Sequence, residues 1–142
     1  WNLLKENKDL FEFFRYMIRF RMEHPSVRKD LEPSYIGFPS ISTHGLTPWE
    51  PDNSEDSHIA CVLFSGYDES LGKEDLVYIA VNAHWHPASL TLPDLPDGYR
   101  WRIAVNTGDA RQQTFEKEQM PPAEPTVLLG ERSVIVFAGE PA

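Results

Sequence analysis

The stretch IACVLFSGYDESLGKEDLVYIAV, residues 59–81, decides the fold. Residues 59–64 form a continuous apolar run of strand length, and residues 76–81 form a second, rich in β-branched side chains. Between them residues 65–73, with Gly66 and Gly72, read as a hairpin loop. Downstream, Ser89, Leu90, Thr91 and Leu92 alternate before Pro93. Tyr99, Trp101, Ile103 and Val105 alternate with Arg100, Arg102 and Ala104, which predicts one buried and one wet face. Residues 126–129 and 133–137 read as a last pair around a Gly130-Glu131 turn. Residues 108–125 are polar and Pro-containing and predict a long, mobile excursion. Upstream, residues 25–58 are punctuated by Pro25, Pro33, Pro39, Pro48 and Pro51, an ordered loop with at most a short strand near residues 41–43. Six or seven short strands with no helices between them predict an antiparallel β-sandwich over residues 32–142.

The sandwich is preceded by one amphipathic helix. Asn7 is placed to cap it, Asp9 suits its positive end, and Pro25 stops it after His24. At 100° per residue, Phe20, Phe13, Met17, Leu10, Phe14, Ile18, Phe11 and Met22 span an arc of roughly 200°. A helix lying on one surface needs a stripe only a little over about 100° wide. The pattern therefore predicts a helix gripped from two sides, with Phe11, Phe13, Phe14, Phe20, Arg21 and Met22 as an interdomain face. Arg21 falls inside the apolar arc. Either it snorkels to water, or it pairs with a carboxylate or backbone carbonyls of a neighbouring domain.

Composition narrows the partners. The chain's 142 residues suffice for one well-filled core, and 41% hydrophobic with 25% charged residues is ordinary for a globular domain. A formal charge of −9, from 22 acidic and 13 basic residues, disfavours nucleic acid but not a neutral polysaccharide. Apolar runs are too short to cross a bilayer. Cys61 is the single cysteine, so no internal disulfide forms, and a cytoplasmic location is the expectation drawn from it. The start at Trp1, without Met, is read as a cut from something longer.

No nucleophile elbow, phosphate-binding glycine loop, H-E-x-x-H or C-x-x-C pair is present, and no catalytic residue, cofactor or metal site is predicted. His84 and His86 form an H-x-H pair that shares one side of an extended chain, but no third ligand is visible. Asp52, Ser54 and Asp56 imitate a calcium loop until Ser57 replaces its glycine and Leu63 its last carboxylate. Trp49 and Trp85 fall in loops, where they either stack on sugar rings or plug a domain edge.

These residues resemble a family. Residues 10–25, LFEFFRYMIRFRMEHP, look like the last barrel helix of the α-amylase superfamily of glycoside hydrolases, of the form L-x-x-F-x-x-x-[LIM]-I-x-x-R-x-x-H-P. ISTHG at 41–45, Pro51-Asp52 and Ser57-His58 resemble the isoamylase and glycogen-debranching branch, and VYIAVNAH at 77–84, Leu92-Pro93, Tyr99-Arg-Trp101 and Thr107 continue its C-terminal sandwich. Thr43 and Asn53 stand where that pattern has Trp, and Asn106 where it has Asp. The resemblance implies a cytoplasmic α-1,6-glucan debranching enzyme as parent, acting by two carboxylates. Its catalytic Asp, Glu and Asp would lie upstream of Trp1, so this part alone is no enzyme. It further implies that residues 1–31 are the last helix and linker of an upstream barrel, and that the sandwich stabilises that barrel. The rivals are a module binding glycogen or another α-glucan through Trp49 and Trp85, and a free-standing interaction domain docking through its helix. Separated from a partner, the helix face predicts artefactual homodimers and dye binding.

Overall fold

The computed structural model describes residues 2–54 and 56–142; Trp1, on which the expectation of a cut rests, lies outside them. Helix α1 (Asn2–Glu23) leads into a short 3-10 turn, Pro25–Val27. Seven strands follow: β1 (Ile41–His44), β2 (Ile59–Asp68), β3 (Lys73–Asn82), β4 (Ala88–Thr91), β5 (Tyr99–Asn106), β6 (Thr126–Leu129) and β7 (Ser133–Pro141). Five of them form an antiparallel sheet in the order β1-β2-β3-β7-β5, and β4 pairs with β6 in a separate ribbon. The mainly β, antiparallel sandwich with one leading helix is the predicted class. Among the described residues no helix is long and apolar enough to cross a membrane.

The deciding stretch forms the spine. Strands β2 and β3 pair without interruption from Ile59 opposite Asn82 to Asp68 opposite Lys73. Their turn is tighter than expected, because pairing extends through Asp68, and Gly72 takes a left-handed φ of 63° to close it. One sheet face, with Leu63, Tyr78, Ile135, Phe137 and Trp101, packs on Leu90 and Leu129 of the ribbon. The Trp101 indole donates to the Pro93 carbonyl at 2.8 Å, which satisfies its one polar atom in the core. The opposite face, with Val77, Val136, Ala138, Ala104 and Val105, packs on Phe20 of α1. Burial on both faces is the reason β3 reads as an unbroken apolar run.

Four local expectations fail, three of them for a tertiary reason. Strands β6 and β7 are not a hairpin pair: β7, buried on both sides, takes the place between β3 and β5, while β6 crosses to the ribbon. Ala104 is buried rather than wet, because α1 covers that face. A bulge between Ile103 and Val105 adds one residue to β5 and turns Val105 towards the helix as well. Residues 108–125 do not leave the body but run back along the free edge of β5. There Asn106 donates to Gln113, Phe115 to Ala104, Ile103 to Pro121 and Ala123 to Trp101, backbone to backbone, at 2.8–3.0 Å. An unpaired edge is thereby covered. Asn7 lies inside α1 rather than at its start.

Candidate interaction surfaces

Helix α1 is held on the sheet by an apolar centre and polar ends. Phe20 is buried, and Phe13, Tyr16 and Met17 are half-buried beside it. The Tyr16 hydroxyl lies 2.6 Å from the Phe115 carbonyl and 3.1 Å from that of Ala104, so the covered edge of β5 also receives the helix. Burial, reinforced by the nearby Glu116 carboxylate, pushes the Tyr16 phenol up to about 12. Arg19 reaches both Glu116 oxygens at 2.8 Å on the surface. At the other end the Phe20 ring stacks on His24 at 4.1 Å, and Asp75 takes the His24 imidazole at 2.7 Å and the Ser26 amide at 2.9 Å. Burial alone would raise the Asp75 carboxyl; the His24 and Ser26 contacts outweigh it and hold the group below its usual range.

The rest of the apolar arc faces outward. Leu10, Phe11, Phe14, Ile18 and Met22 are 55, 62, 57, 65 and 59% exposed. An apolar, open groove of about 310 Å³ runs beside them between Phe14, Met17, Ile18 and Arg21 of the helix and Val27, Ile79 and Val136 of the body. The predicted interdomain set thus divides. Phe13 and Phe20 turn to the chain's own sheet, whereas Phe11, Phe14, Arg21 and Met22 do not. Scattered apolar residues on a surface are ordinary, but a contiguous row of this length is not.

The H-G motif has a structural task. His44 is buried, accepts the Trp49 amide at Nδ1 (2.8 Å) and meets Ser42 Oγ at Nε2 (2.8 Å). Burial pushes its imidazole down, which keeps it neutral and able to accept. A Cβ at Gly45 would lie 2.5 Å from the Glu50 carbonyl oxygen, so only glycine lets the loop fold back. Trp49, at a left-handed φ of 67°, stacks on His44 at 4.4 Å and Phe38 at 5.4 Å.

Trp85 stands apart from that arrangement. It is 71% exposed and meets Arg132, whose guanidinium carbon lies 4.5 Å from its ring centre. The H-x-H pair gains a neighbour that sequence reasoning missed: His58 lies 4.8 Å from His84, itself 5.0 Å from His86, centre to centre. The signal was His58's place just before β2, whose register sets it opposite Ala83. His84 Nδ1 accepts the His86 amide at 3.1 Å, and among the described residues no three ligand side chains converge as a metal would need. Asp52 accepts the Ser54 amide at 3.1 Å, a short local turn. Of the buried carboxylates, Asp75 anchors the helix end, Glu74 accepts the Tyr35 amide at 2.7 Å and Asp68 the Ser70 hydroxyl at 2.6 Å. Each holds a loop in place. Burial pushes the Cys61 thiol up, against thiolate chemistry.

Known proteins are similar to this chain in sequence. A family model described as "Isoamylase 1-3, C-terminal" matches residues 42–128. "Isoamylase 1, chloroplastic" of Oryza sativa subsp. japonica is 35% identical over 124 residues, which are 85% of this chain and 14% of that protein. "Isoamylase SU1, chloroplastic" of Zea mays is 32% identical over 123 residues, 87% of this chain and 14% of that protein. "Isoamylase 3, chloroplastic" of rice is 25% identical over 142 residues, 99% of this chain and 17% of that protein. The chain thus spans about one seventh of the length of the first curated relatives it matches. The cytoplasmic expectation is overturned, since each of these relatives is named chloroplastic. It rested on a lone cysteine, which reports that no internal disulfide forms and does not discriminate between reducing compartments. The glycine-dependent loop and strands β2 to β5 lie within the matched residues, and the chain belongs to the isoamylase C-terminal domain family.

Proposed function

We propose that this chain is the non-catalytic end of a plastid debranching enzyme of the isoamylase type, one that hydrolyses α-1,6 branch linkages of an α-glucan. Residues 1–31 are the last helix of an upstream catalytic barrel and its linker, and residues 32–142 are the sandwich that clasps that helix and steadies the barrel. The carboxylates that perform the reaction belong to the barrel. The observation that carries this reading is the row from Leu10 to Met22, apolar yet more than half exposed on a helix whose other side is already fixed. Such a row fits a second body, and the curated relatives are long enough to hold one.

The test uses both lengths of protein. In a parent enzyme that contains this chain, Phe14→Asp with Ile18→Asp lowers the melting temperature and glucan hydrolysis, while in the chain alone the same pair leaves the melting temperature unchanged. Equal melting temperatures for the variant and unaltered parent would overturn the clasp. Reducing ends released from amylopectin or pullulan by the pure chain would overturn its non-catalytic role.

A further inference from the structure

One exposed cluster takes no part in holding the helix or the core. Asn82 is buried at the end of β3, and its side chain ties two loops together. Its Nδ2 donates to the carbonyls of His86, Leu129 and Gly130 at 2.9, 3.3 and 3.1 Å, and its Oδ1 accepts the His84 amide at 2.9 Å. The β3–β4 loop and the β6–β7 turn are therefore fixed relative to each other. Arg132 completes the tie: its amide donates to the His84 carbonyl at 3.1 Å, and its backbone sits at a left-handed φ of 46°. A bulky residue in that region is strained, and such strain concentrates where a side chain must be presented in one place. What is presented is a guanidinium under Trp85, leaving the ring 71% exposed.

We propose that Trp85, backed by Arg132, is a surface site for pyranose rings of a neutral α-glucan. The electron-rich ring face attracts the weakly positive C–H face of a sugar. An apolar protein partner fits less well, because the side chain that meets Trp85 is the charged Arg132, unlike the continuous apolar row of α1. A polyanion is disfavoured by the charge of −9. Trp49 is not part of the site, since its ring packs at a tilt against His44 and Phe38 and is less open, 46% exposed against 71% for Trp85. The choice of an α-glucan rests on the reading of the parent as a debranching enzyme; the presence of an aromatic platform does not.

Native gel electrophoresis of the chain, with and without soluble amylopectin, tests the site. Amylopectin slows the unaltered chain, and hydroxyethylcellulose, a β-linked control, does not. Trp85→Ala weakens apparent affinity by about tenfold or more, Trp85→Phe by less, and Trp49→Ala leaves it unchanged. A urea midpoint unaltered in Trp85→Ala shows that binding, not folding, was lost. Mobility indifferent to amylopectin, equal retardation by hydroxyethylcellulose, or full retardation of Trp85→Ala would each overturn the proposal. None of these readouts depends on the outer helix face, so the site can fail while the barrel clasp stands, and the reverse.

Discussion

The five-stranded sheet is closed by a β-ribbon on one side and by a helix on the other, and the two closures differ in kind. On the ribbon side Leu63, Tyr78, Leu90, Leu129, Ile135 and Phe137 are wholly buried, and the strands that cover them belong to the same continuous sandwich. On the helix side the sheet residues Val77, Ala104 and Ala138 are buried, but the described part of the helix contributes a single buried residue, Phe20, flanked by half-buried ones, and polar contacts at Tyr16, Arg19 and His24 fix the helix at its borders. The ribbon side is a core. The helix side is closer to an interface within one chain, with an apolar middle and a polar rim.

That contrast predicts unequal costs. Phe137→Ala, on the ribbon side, should lower unfolding free energy by about 3–5 kcal/mol in urea titration, because its cavity cannot collapse without moving both layers. Phe20→Ala should cost less, about 2–3 kcal/mol, since the helix can come off locally and so caps the loss. Its mark would be amide exchange faster in α1 than in β3. Equal costs with uniform exchange would show that helix and sandwich unfold as one body and erase the distinction.

Asp75→Asn probes the rim, at about 1–2 kcal/mol. The carboxyl sits below its ordinary value of 3.8 in the folded chain. Its contribution is therefore present above that value and is lost as pH falls through the lower folded one. Urea midpoints of the unaltered chain should fall below about pH 4, and the Asn variant should show a flatter acid limb. The smallest effect belongs to the outer row. Phe14→Ser with Ile18→Ser should change the stability of the chain by no more than about 0.5 kcal/mol per site. The same pair should abolish dimers seen by light scattering and binding of apolar dyes.

Much of this contrast is visible in the primary structure, but unevenly. The unbroken run at residues 76–81 announces a strand covered on both faces, and the over-wide apolar arc of the helix announces two sides of contact. Which aromatic goes to which side is not visible. Phe13 and Phe14 are neighbours in sequence and both belong to the arc, yet one is half-buried against the sheet and the other is exposed, because the rotation of the helix is set by Tyr16 reaching Ala104 and Phe115, 88 and 99 residues away. The two loop tryptophans are equally alike in sequence. Only the structure separates them: Trp49 packs at a tilt against His44 and Phe38, whereas Trp85 meets Arg132 and is the more open of the two.

The amino-acid sequence by itself determined the elements: where the strands lie, that a helix precedes them, and that no internal disulfide braces them. These follow from local periodicity and backbone sterics, which act over a few residues. The tertiary structure decided the partners. It sent β6 and β7 to different sheets, folded residues 108–125 along β5, and brought His58 beside His84. Those choices are made by burial competing across the whole chain, and no short window contains both competitors.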